Sequence, residues 1–128
     1  MYMQNQESTE MYLETIFVLG NDGRKIHAID IAKKMGFSKP SVSIAMKKLK
    51  DAELIKTDKD GSITLTKNGM EIAERTYERH IWISEWLIGL GVNRETAVED
   101  ACRLEHVISA ETFEAMKKCI QCKYKEEL

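Results

Sequence analysis

The segment C-R-L-E-H, residues 102–106, places three side chains of metal-binding type within one short stretch. If the segment is helical, Cys102, Glu105 and His106 lie at positions i, i+3 and i+4 and share one face. A thiolate, a carboxylate and an imidazole together suit iron(II), cobalt(II), nickel(II) or zinc(II) better than magnesium or calcium. The alternative is a partly buried cysteine beside a surface Glu-His pair, because a motif this short also occurs by chance.

Further potential ligands lie far from this motif along the chain. His80 falls in a long predicted helix, and Met11 and Glu14 fall in the first predicted helix. Taken singly, each is better explained by packing or by a solvated surface than by metal binding. Only the fold can bring residues so distant in sequence to one site.

A second cysteine pattern, formed by Cys119 and Cys122, has the C-x-x-C spacing of some metal and redox sites. No second pair accompanies it that could complete a four-cysteine site. In a reducing cytoplasm we expect these cysteines to be free, exposed thiols rather than parts of a disulfide framework.

Positive charge is concentrated in one stretch, although the chain of 128 residues has a net charge of −2. Residues 23–50 contain eight basic side chains and one acidic side chain, Asp30, which leaves a local surplus of seven positive charges. The basic residues are Arg24, Lys25, Lys33, Lys34, Lys39, Lys47, Lys48 and Lys50. Charge segregated in this way predicts an anionic partner for this region alone.

Hydrophobic spacing and turn signals predict the elements that position these residues. A first helix, capped by Ser8 or Thr9, is predicted up to Gly20. A second helix is predicted over residues 28–35, with Gly36 as its C-terminal cap.

A third helix is predicted to begin at Ser38, with Pro40 in its first turn, and to run to about residue 52. Two short β segments, residues 54–57 and 62–66, flank an Asp-Gly pair and predict a hairpin. Three more helices are predicted, over residues 67–88, 93–108 and 110–120.

Helix, tight turn, helix and hairpin follow one another in the order of a winged helix-turn-helix. In that motif the N-terminal residues of the second helix meet base edges in the major groove, and lysines contact phosphates. The predicted base contacts are Ser38, Lys39, Pro40, Ser41 and Ser43, and the predicted phosphate contacts are Lys47, Lys48, Lys50, Lys56 and Lys59. The alternative is a small helical domain with a solvated lysine surface; the hairpin and the localised charge favour DNA binding.

Other functional classes have less support. Glu105 and a bound metal could in principle activate water, but no substrate pocket and no nucleophile with its base can be found, so an enzyme is not expected. A protein–protein adaptor remains an alternative. No apolar run approaches the ~20 residues of a membrane span, and the N-terminus is too polar for a signal peptide, so we expect a cytoplasmic protein without membrane contact.

Four sequence segments resemble the diphtheria-toxin-repressor family of metal-dependent regulators, which includes iron and manganese sensors. They are T-E-M-Y-L-E-T-I (residues 9–16), S-K-P-S-V-S (38–43), L-T-K-N-G (65–69) and E-D-A-C-R-L-E-H-V-I-S (99–109). The resemblance covers nearly the whole chain, and the last segment is highly specific. It implies a repressor that binds a double-stranded DNA operator as a homodimer, with each subunit reading half of an inverted repeat.

The resemblance also implies an architecture. The expected fold is mainly α-helical, with a winged helix-turn-helix DNA-binding domain over residues 1–66. A helical metal-binding and dimerisation domain would follow over residues 67–128. Candidate dimer contacts are Trp82, Trp86, Leu87, Phe113 and Met116, some of which are expected to fill the core of the monomer instead.

The same resemblance assigns metal ligands. Residues that match the activating site of the iron-responsive branch are Met11, Cys102, Glu105 and His106. His80 matches a ligand of the neighbouring ancillary site, and Glu14 matches a carboxylate ligand of the manganese-responsive branch.

The chain departs from the iron-responsive branch at two ancillary ligands, where Ser84 and Val98 stand. The branch's C-terminal SH3-like domain has no counterpart here, so a complete second site is not expected. Soft ligands at Met11 and Cys102 favour iron(II) as the cofactor, with manganese(II) second because it prefers oxygen ligands.

Overall fold

The structure, a computed structural model, describes the backbone of residues 2–127 and the side chains of residues 7–119. The helices are α1 (Tyr2–Leu19), α2 (Ala28–Met35), α3 (Lys39–Asp51), α4 (Lys67–Gly89), α5 (Arg94–Val107) and α6 (Ala110–Glu127), and the strands are β1 (Ile55–Thr57) and β2 (Ile63–Leu65). This order confirms the prediction of a mainly α-helical chain with a winged helix-turn-helix. Among the described residues, no helix is long and apolar enough to cross a membrane.

By its internal contacts the chain divides into two compact units, Met1–Glu78 and Arg79–Leu128. The division falls within α4, so the first half of this helix belongs to the first unit and the second half to the second unit. The predicted functional boundary after residue 66 remains a prediction.

The first unit contains the helix-turn-helix formed by α2 and α3. Gly36 ends α2 with a φ of 72°, the left-handed conformation that favours glycine. Ser38 then caps α3, because its side-chain oxygen accepts a hydrogen bond from the Ser41 N–H at 3.3 Å, and Pro40 occupies the first turn. The buried core beneath these helices includes Leu13, Ile16, Ile31, Val42, Leu49 and Ile55.

The wing is the antiparallel hairpin of β1 and β2, in which Lys56 lies opposite Thr64. At its turn, Asp60 accepts hydrogen bonds from the Ser62 N–H at 3.0 Å and from the Lys25 ammonium at 3.1 Å. These bonds, chiefly those from Ser62, hold the pKa of Asp60 below its usual range. The ionised carboxylate therefore ties the wing tip to the loop before α2.

In the second unit both α5 and α6 begin with a side-chain cap. The Asn93 side chain accepts a hydrogen bond from the Glu95 N–H at 2.9 Å and begins α5. The Ser109 hydroxyl accepts one from the Thr112 N–H at 3.1 Å and begins α6. The core of this unit consists of Ile83, Ala101 and Phe113, with Trp82, Leu87, Leu104 and Ile108 packed against it.

Three of the five candidate dimer contacts thus pack within the second unit itself. Phe113 is 4% exposed, and the Trp82 ring meets it edge-on at 5.5 Å between centroids. Leu87 packs against the same core. Trp86 lies against Trp82 at 5.6 Å, and Met116 is half-buried. Phe113 is therefore a core residue of the monomer rather than a surface contact.

Two predicted helix ends were wrong. The first helix begins at Tyr2 rather than at Ser8 or Thr9, and the last helix continues past Ile120 to Glu127. In both cases the extra residues are mostly good helix formers such as Gln, Glu and Lys, with no glycine or proline to interrupt them. A serine or threonine can cap a helix only where the preceding residues leave the helical conformation.

Candidate metal centre and nucleic-acid interface

The three residues of the C-x-x-E-H motif lie together on α5, as their spacing predicted. Glu105 is only 1% exposed, and the His106 side chain is 4% exposed. Cys102, one turn earlier, is exposed and carries a free thiol. The motif thus combines a buried carboxylate with a solvent-accessible sulfur.

The buried carboxylate of Glu105 contacts two imidazoles. Its Oε2 lies 2.9 Å from Nδ1 of His80, and its Oε1 lies 3.2 Å from Nε2 of His106. A buried charge is costly unless it is paired and hydrogen-bonded, and both carboxylate oxygens here have ring nitrogens as partners.

His80 comes from α4 and completes the cluster. Its Nδ1 also lies 3.8 Å from the sulfur of Cys102, so one ring nitrogen contacts both the thiol and the carboxylate. The contacts with Cys102 and then with Glu105 raise the pKa of His80 to about 10, and they outweigh the opposite effect of its burial. His80, which the family resemblance assigns to a neighbouring site, therefore lies in the same cluster as two residues of the activating site.

Arg79 fixes α5 against α4 beside this cluster. Its guanidinium donates hydrogen bonds to the backbone carbonyl of Glu105 at 3.2 Å and to that of Ile108 at 3.0 Å. The guanidinium also lies 5.4 Å from the centre of the Phe113 ring. Carbonyls in the last turn of a helix have no partner within the helix, so Arg79 supplies donors at the point where Glu105 is positioned.

This set of donors fits a divalent transition metal. It offers a thiol sulfur, a carboxylate and imidazole nitrogens, the mixture typical of iron, cobalt, nickel or zinc sites. The Nδ1 atom of His80 contacts both the carboxylate and the sulfur, and a bound cation would take over that linking role. The contacts between carboxylate and imidazole also set the ring orientation, as is usual around metal-ligating histidines.

The two predicted ligands from the N-terminal helix lie in the first unit. Met11 is 39% exposed on α1, and Glu14 is half-buried one turn later. Their part in the same site as Cys102 and Glu105 stays a prediction.

Ser84 and Val98 stand where the iron-responsive branch has two ancillary ligands. Ser84 is buried, and its hydroxyl has no hydrogen-bond partner among the described residues. Val98 is apolar.

The predicted DNA-binding residues lie on α3 and at its N-terminus. Ser38, Lys39, Pro40, Ser41 and Ser43 are all exposed, and so are Lys47, Lys48 and Lys50. The opposite side of the helix is buried through Val42, Met46 and Leu49. The wing lysines Lys56 and Lys59 are also exposed. The exposed side of α3 thus presents hydroxyls and ammonium groups, as phosphate and base contacts require.

Comparison with known proteins identifies both parts of the chain. Residues 5–63 match the N-terminal DNA-binding domain of iron-dependent repressors, and residues 66–122 match their metal-binding and dimerisation domain. A helix-turn-helix transcriptional regulator of Methanocaldococcus jannaschii is 32% identical over 95% of this chain and 98% of its own length. The transcriptional regulator MntR of Escherichia coli is 32% identical over 88% of this chain and 72% of its own length. The chain belongs to the iron-dependent repressor family.

Two further similarities support this membership. The diphtheria toxin repressor of Corynebacterium diphtheriae is 30% identical over 90% of the chain, which spans about half of that protein (51%). The solved structure of the manganese regulator SloR superposes with a TM-score of 0.79 at 34% identity, over 88% of this chain and 53% of SloR. The protein is thus a metal-dependent transcriptional repressor, and the expectation that it is not an enzyme is confirmed.

Sequence reasoning missed Arg79, which lies beside the candidate metal centre. Its neighbour His80 was identified, but an arginine inside a long helix carries no signal that it will bond the end of another helix. Of the C-x-x-C pattern, Cys119 is a free, exposed thiol as expected. Cys122 lies outside the residues whose side chains the structure describes.

We expect His80 of the metal-free repressor to titrate near pH 10 instead of near its ordinary value of 6.5. Because folding raises this pKa, the charged ring contributes its full stabilisation of the folded protein below about pH 6.5. This stabilisation is lost as the pH rises towards 10. A ring that ligates metal must give up its proton, so metal affinity should increase with pH across this range. Histidine NMR spectra recorded against pH test the assignment, and Cys102→Ser should move the titration downwards. A His80 titration near 6.5 in both proteins would count against the described contacts.

We expect Lys47→Ala and Lys48→Ala each to weaken DNA binding without changing which sequence is preferred. Removal of one phosphate-binding lysine should reduce the slope of log affinity against log salt by about one unit per bound subunit. Fluorescence anisotropy of labelled DNA at several salt concentrations measures this slope. Lys118→Ala removes the same charge from an exposed position on α6 and serves as the control. A slope that is the same in the wild type and all three variants contradicts the phosphate role.

Proposed function

We propose that this repressor is activated by iron(II), which is held by Cys102, Glu105, His106 and His80, and that it then represses genes of metal homeostasis. The observation that supports this most is the cluster in the second unit, where an exposed thiol lies 3.8 Å from an imidazole that also contacts a buried carboxylate. When bound, the cation supplies the positive charge that these donors share.

Iron(II) is preferred over manganese(II) because of the sulfur ligand. The thiol of Cys102 is a soft donor, and the thioether of Met11 would add a second one from α1. Manganese(II) favours carboxylate, carbonyl and water oxygens. A site with one or two sulfur atoms therefore discriminates in favour of iron(II).

Manganese(II) is the second candidate, and two observations favour it. Several relatives are named for it, among them the manganese regulator SloR, at 34% identity. Glu14 lies on α1 one turn after Met11 and offers a carboxylate that the manganese-responsive branch also uses. With Glu14 and Glu105 as ligands, oxygen donors would equal or outnumber sulfur donors.

In this proposal, Met11 and Glu14 supply ligands from the first unit, and the α5 residues with His80 supply ligands from the second unit. Ligands drawn from both units link the DNA-binding half to the metal-binding half. Metal promotes DNA binding only if the DNA-competent arrangement binds it more tightly, and DNA must then tighten metal binding by the same factor.

The proposed binding unit is a homodimer that acts on DNA in the cytoplasm. The matched dimerisation domain supports self-association. The second unit exposes apolar side chains suited to such an interface, namely Ile81, Leu90 and Val107. Two copies related by a two-fold axis would place two copies of α3 on the halves of an inverted repeat.

A DNA-binding titration with different metals tests the proposal. Duplex DNA selected by the protein from a random pool would be titrated anaerobically with the repressor and iron(II), manganese(II), zinc(II) or a chelator. We expect tight binding with iron(II), weaker binding with manganese(II) and loss of binding with the chelator. Tighter binding with manganese(II) would replace iron(II) by the second candidate, and equal binding with the chelator would contradict metal activation altogether.

A further inference from the structure

The outer face of α3 carries one large apolar residue, Ile44, among its polar side chains. Ile44 is 60% exposed, although it lies in the middle of the helix. Residues two apart in an α-helix point about 200° apart, so Ile44 faces away from the buried Val42 and Met46 on either side of it. It therefore lies at the centre of the face that the exposed serines and lysines share.

The neighbours of Ile44 on this face define its surroundings. Pro40 lies one turn before it, and Lys47 and Lys48 lie one turn after it, all of them exposed. Pro40 and Ile44 thus form a short apolar strip that ends in two ammonium groups. A DNA groove is flanked by negatively charged phosphates. The lysines could contact these phosphates while the apolar strip faces into the groove.

Ile44 borders an open groove that it shares with Thr9 and Tyr12 of α1, yet at 60% exposure most of its side chain remains uncovered by the monomer. A β-branched residue has a lower helix propensity than alanine, and a side chain this exposed adds little to the core. An exposed isoleucine inside a basic surface is therefore better explained by a contact made outside the monomer. An apolar group within a polyanion would suit this mixture of apolar surface and positive charge.

We propose that Ile44 determines sequence preference by contacting the C5-methyl group of thymine in the major groove. Among the base edges exposed in that groove, the thymine methyl is the apolar group, and aliphatic side chains contact it. Ile44 is the sixth residue of α3, within the half of the helix that enters the groove in this motif. The inference rests on the proposed DNA-binding function and adds a preference for the thymine methyl group, which hydroxyl and ammonium groups do not recognise by hydrogen bonding.

Uracil substitution tests this contact, because uracil differs from thymine only by the missing methyl group. DNA selected by the metal-loaded wild-type repressor would be remade with each thymine replaced in turn by uracil, and affinities would be measured by anisotropy. At the contacted position we expect the wild type to lose about fourfold in affinity, the factor for one buried methyl-sized group. Ile44→Ala should bind the thymine and uracil versions of this site about equally. Ile44→Val should lose less affinity on uracil substitution than the wild type does, but more than Ile44→Ala.

Ile29→Ala is the matched control, because Ile29 is an isoleucine of the neighbouring α2 and is also exposed, at 42%. It should keep the full response of the wild type to uracil. Equal loss on uracil substitution in the wild type and in Ile44→Ala, or no sensitive thymine at all, overturns the role of Ile44 while leaving DNA binding intact. If the repressor selects no DNA sequence from the random pool with any of the metals, the proposed DNA-binding function is overturned as well.

Discussion

Replacing Glu105 by glutamine is expected to reduce metal affinity by more than about a hundredfold and to abolish metal-dependent DNA binding. Loss of residues that merely support metal ligands already costs about 10- to 100-fold, and Glu105 is a proposed ligand itself. Its carboxylate is the buried anion of the cluster, in contact with His80 and His106. A neutral amide in place of the carboxylate removes the negative charge that attracts the cation. It also removes one strong oxygen donor for the metal.

The glutamine variant should still fold, since its side chain has nearly the same shape and can hydrogen-bond to both rings. With the carboxylate gone, one of the two contacts that raise the pKa of His80 is lost, so its ring gives up its proton more readily and less charge has to stay buried. Anaerobic isothermal calorimetry with iron(II) measures the affinity, and circular dichroism checks the fold. Glu99→Gln, at an exposed position on the same helix, is the control that should bind metal normally. If Glu105→Gln bound iron(II) as tightly as Glu99→Gln does, the metal site would have to lie elsewhere.

Replacing Gly69 by alanine is expected to destabilise the first unit by about 3 kcal/mol, a large overpacking effect. A Cβ atom at this position in α4 would clash with the backbone oxygen of Leu54 and would lie 3.0 Å from its carbonyl carbon. Backbone cannot move aside as a flexible side chain can. The clash should therefore outweigh the gain of about 1 kcal/mol that alanine has over glycine inside a helix.

Gly89→Ala is the matched control for this prediction. Gly89 also lies in α4, yet a Cβ built there meets no described atom within 4 Å. Alanine should therefore leave stability unchanged or raise it by up to about 1 kcal/mol. Urea denaturation of both variants gives the comparison. Equal stability of the two variants would mean that α4 does not approach Leu54 as closely as described.

Local signals in the sequence predicted much of the fold. The Ser38 cap, the proline after it and the left-handed Gly36 act within a few residues, so their effects can be read without knowing the rest of the chain. The Asp60-Gly61 turn predicted the wing for the same reason. Long-range packing, such as the approach of Gly69 to Leu54, left no such signal.

The candidate metal centre was predictable only in part. The shared face of Cys102, Glu105 and His106 follows from helical periodicity alone. The contact of His80 with two of these residues does not, because it depends on how α4 packs against α5. The family resemblance named His80 but assigned it to a separate site. The nearly complete burial of Glu105, which makes its charge important, is likewise a property of packing.

Metal activation through the α5 cluster is tested most directly by DNA binding of the wild type, Cys102→Ala and His106→Ala as iron(II) is added anaerobically. Anisotropy of a labelled duplex selected by the wild type gives the affinity at each metal concentration, and circular dichroism confirms that all three proteins fold. We predict that iron(II) tightens DNA binding of the wild type and leaves both variants at the level seen with a chelator. If iron(II) tightened DNA binding by both variants as it does for the wild type, the metal centre around Cys102, Glu105 and His106 would be contradicted.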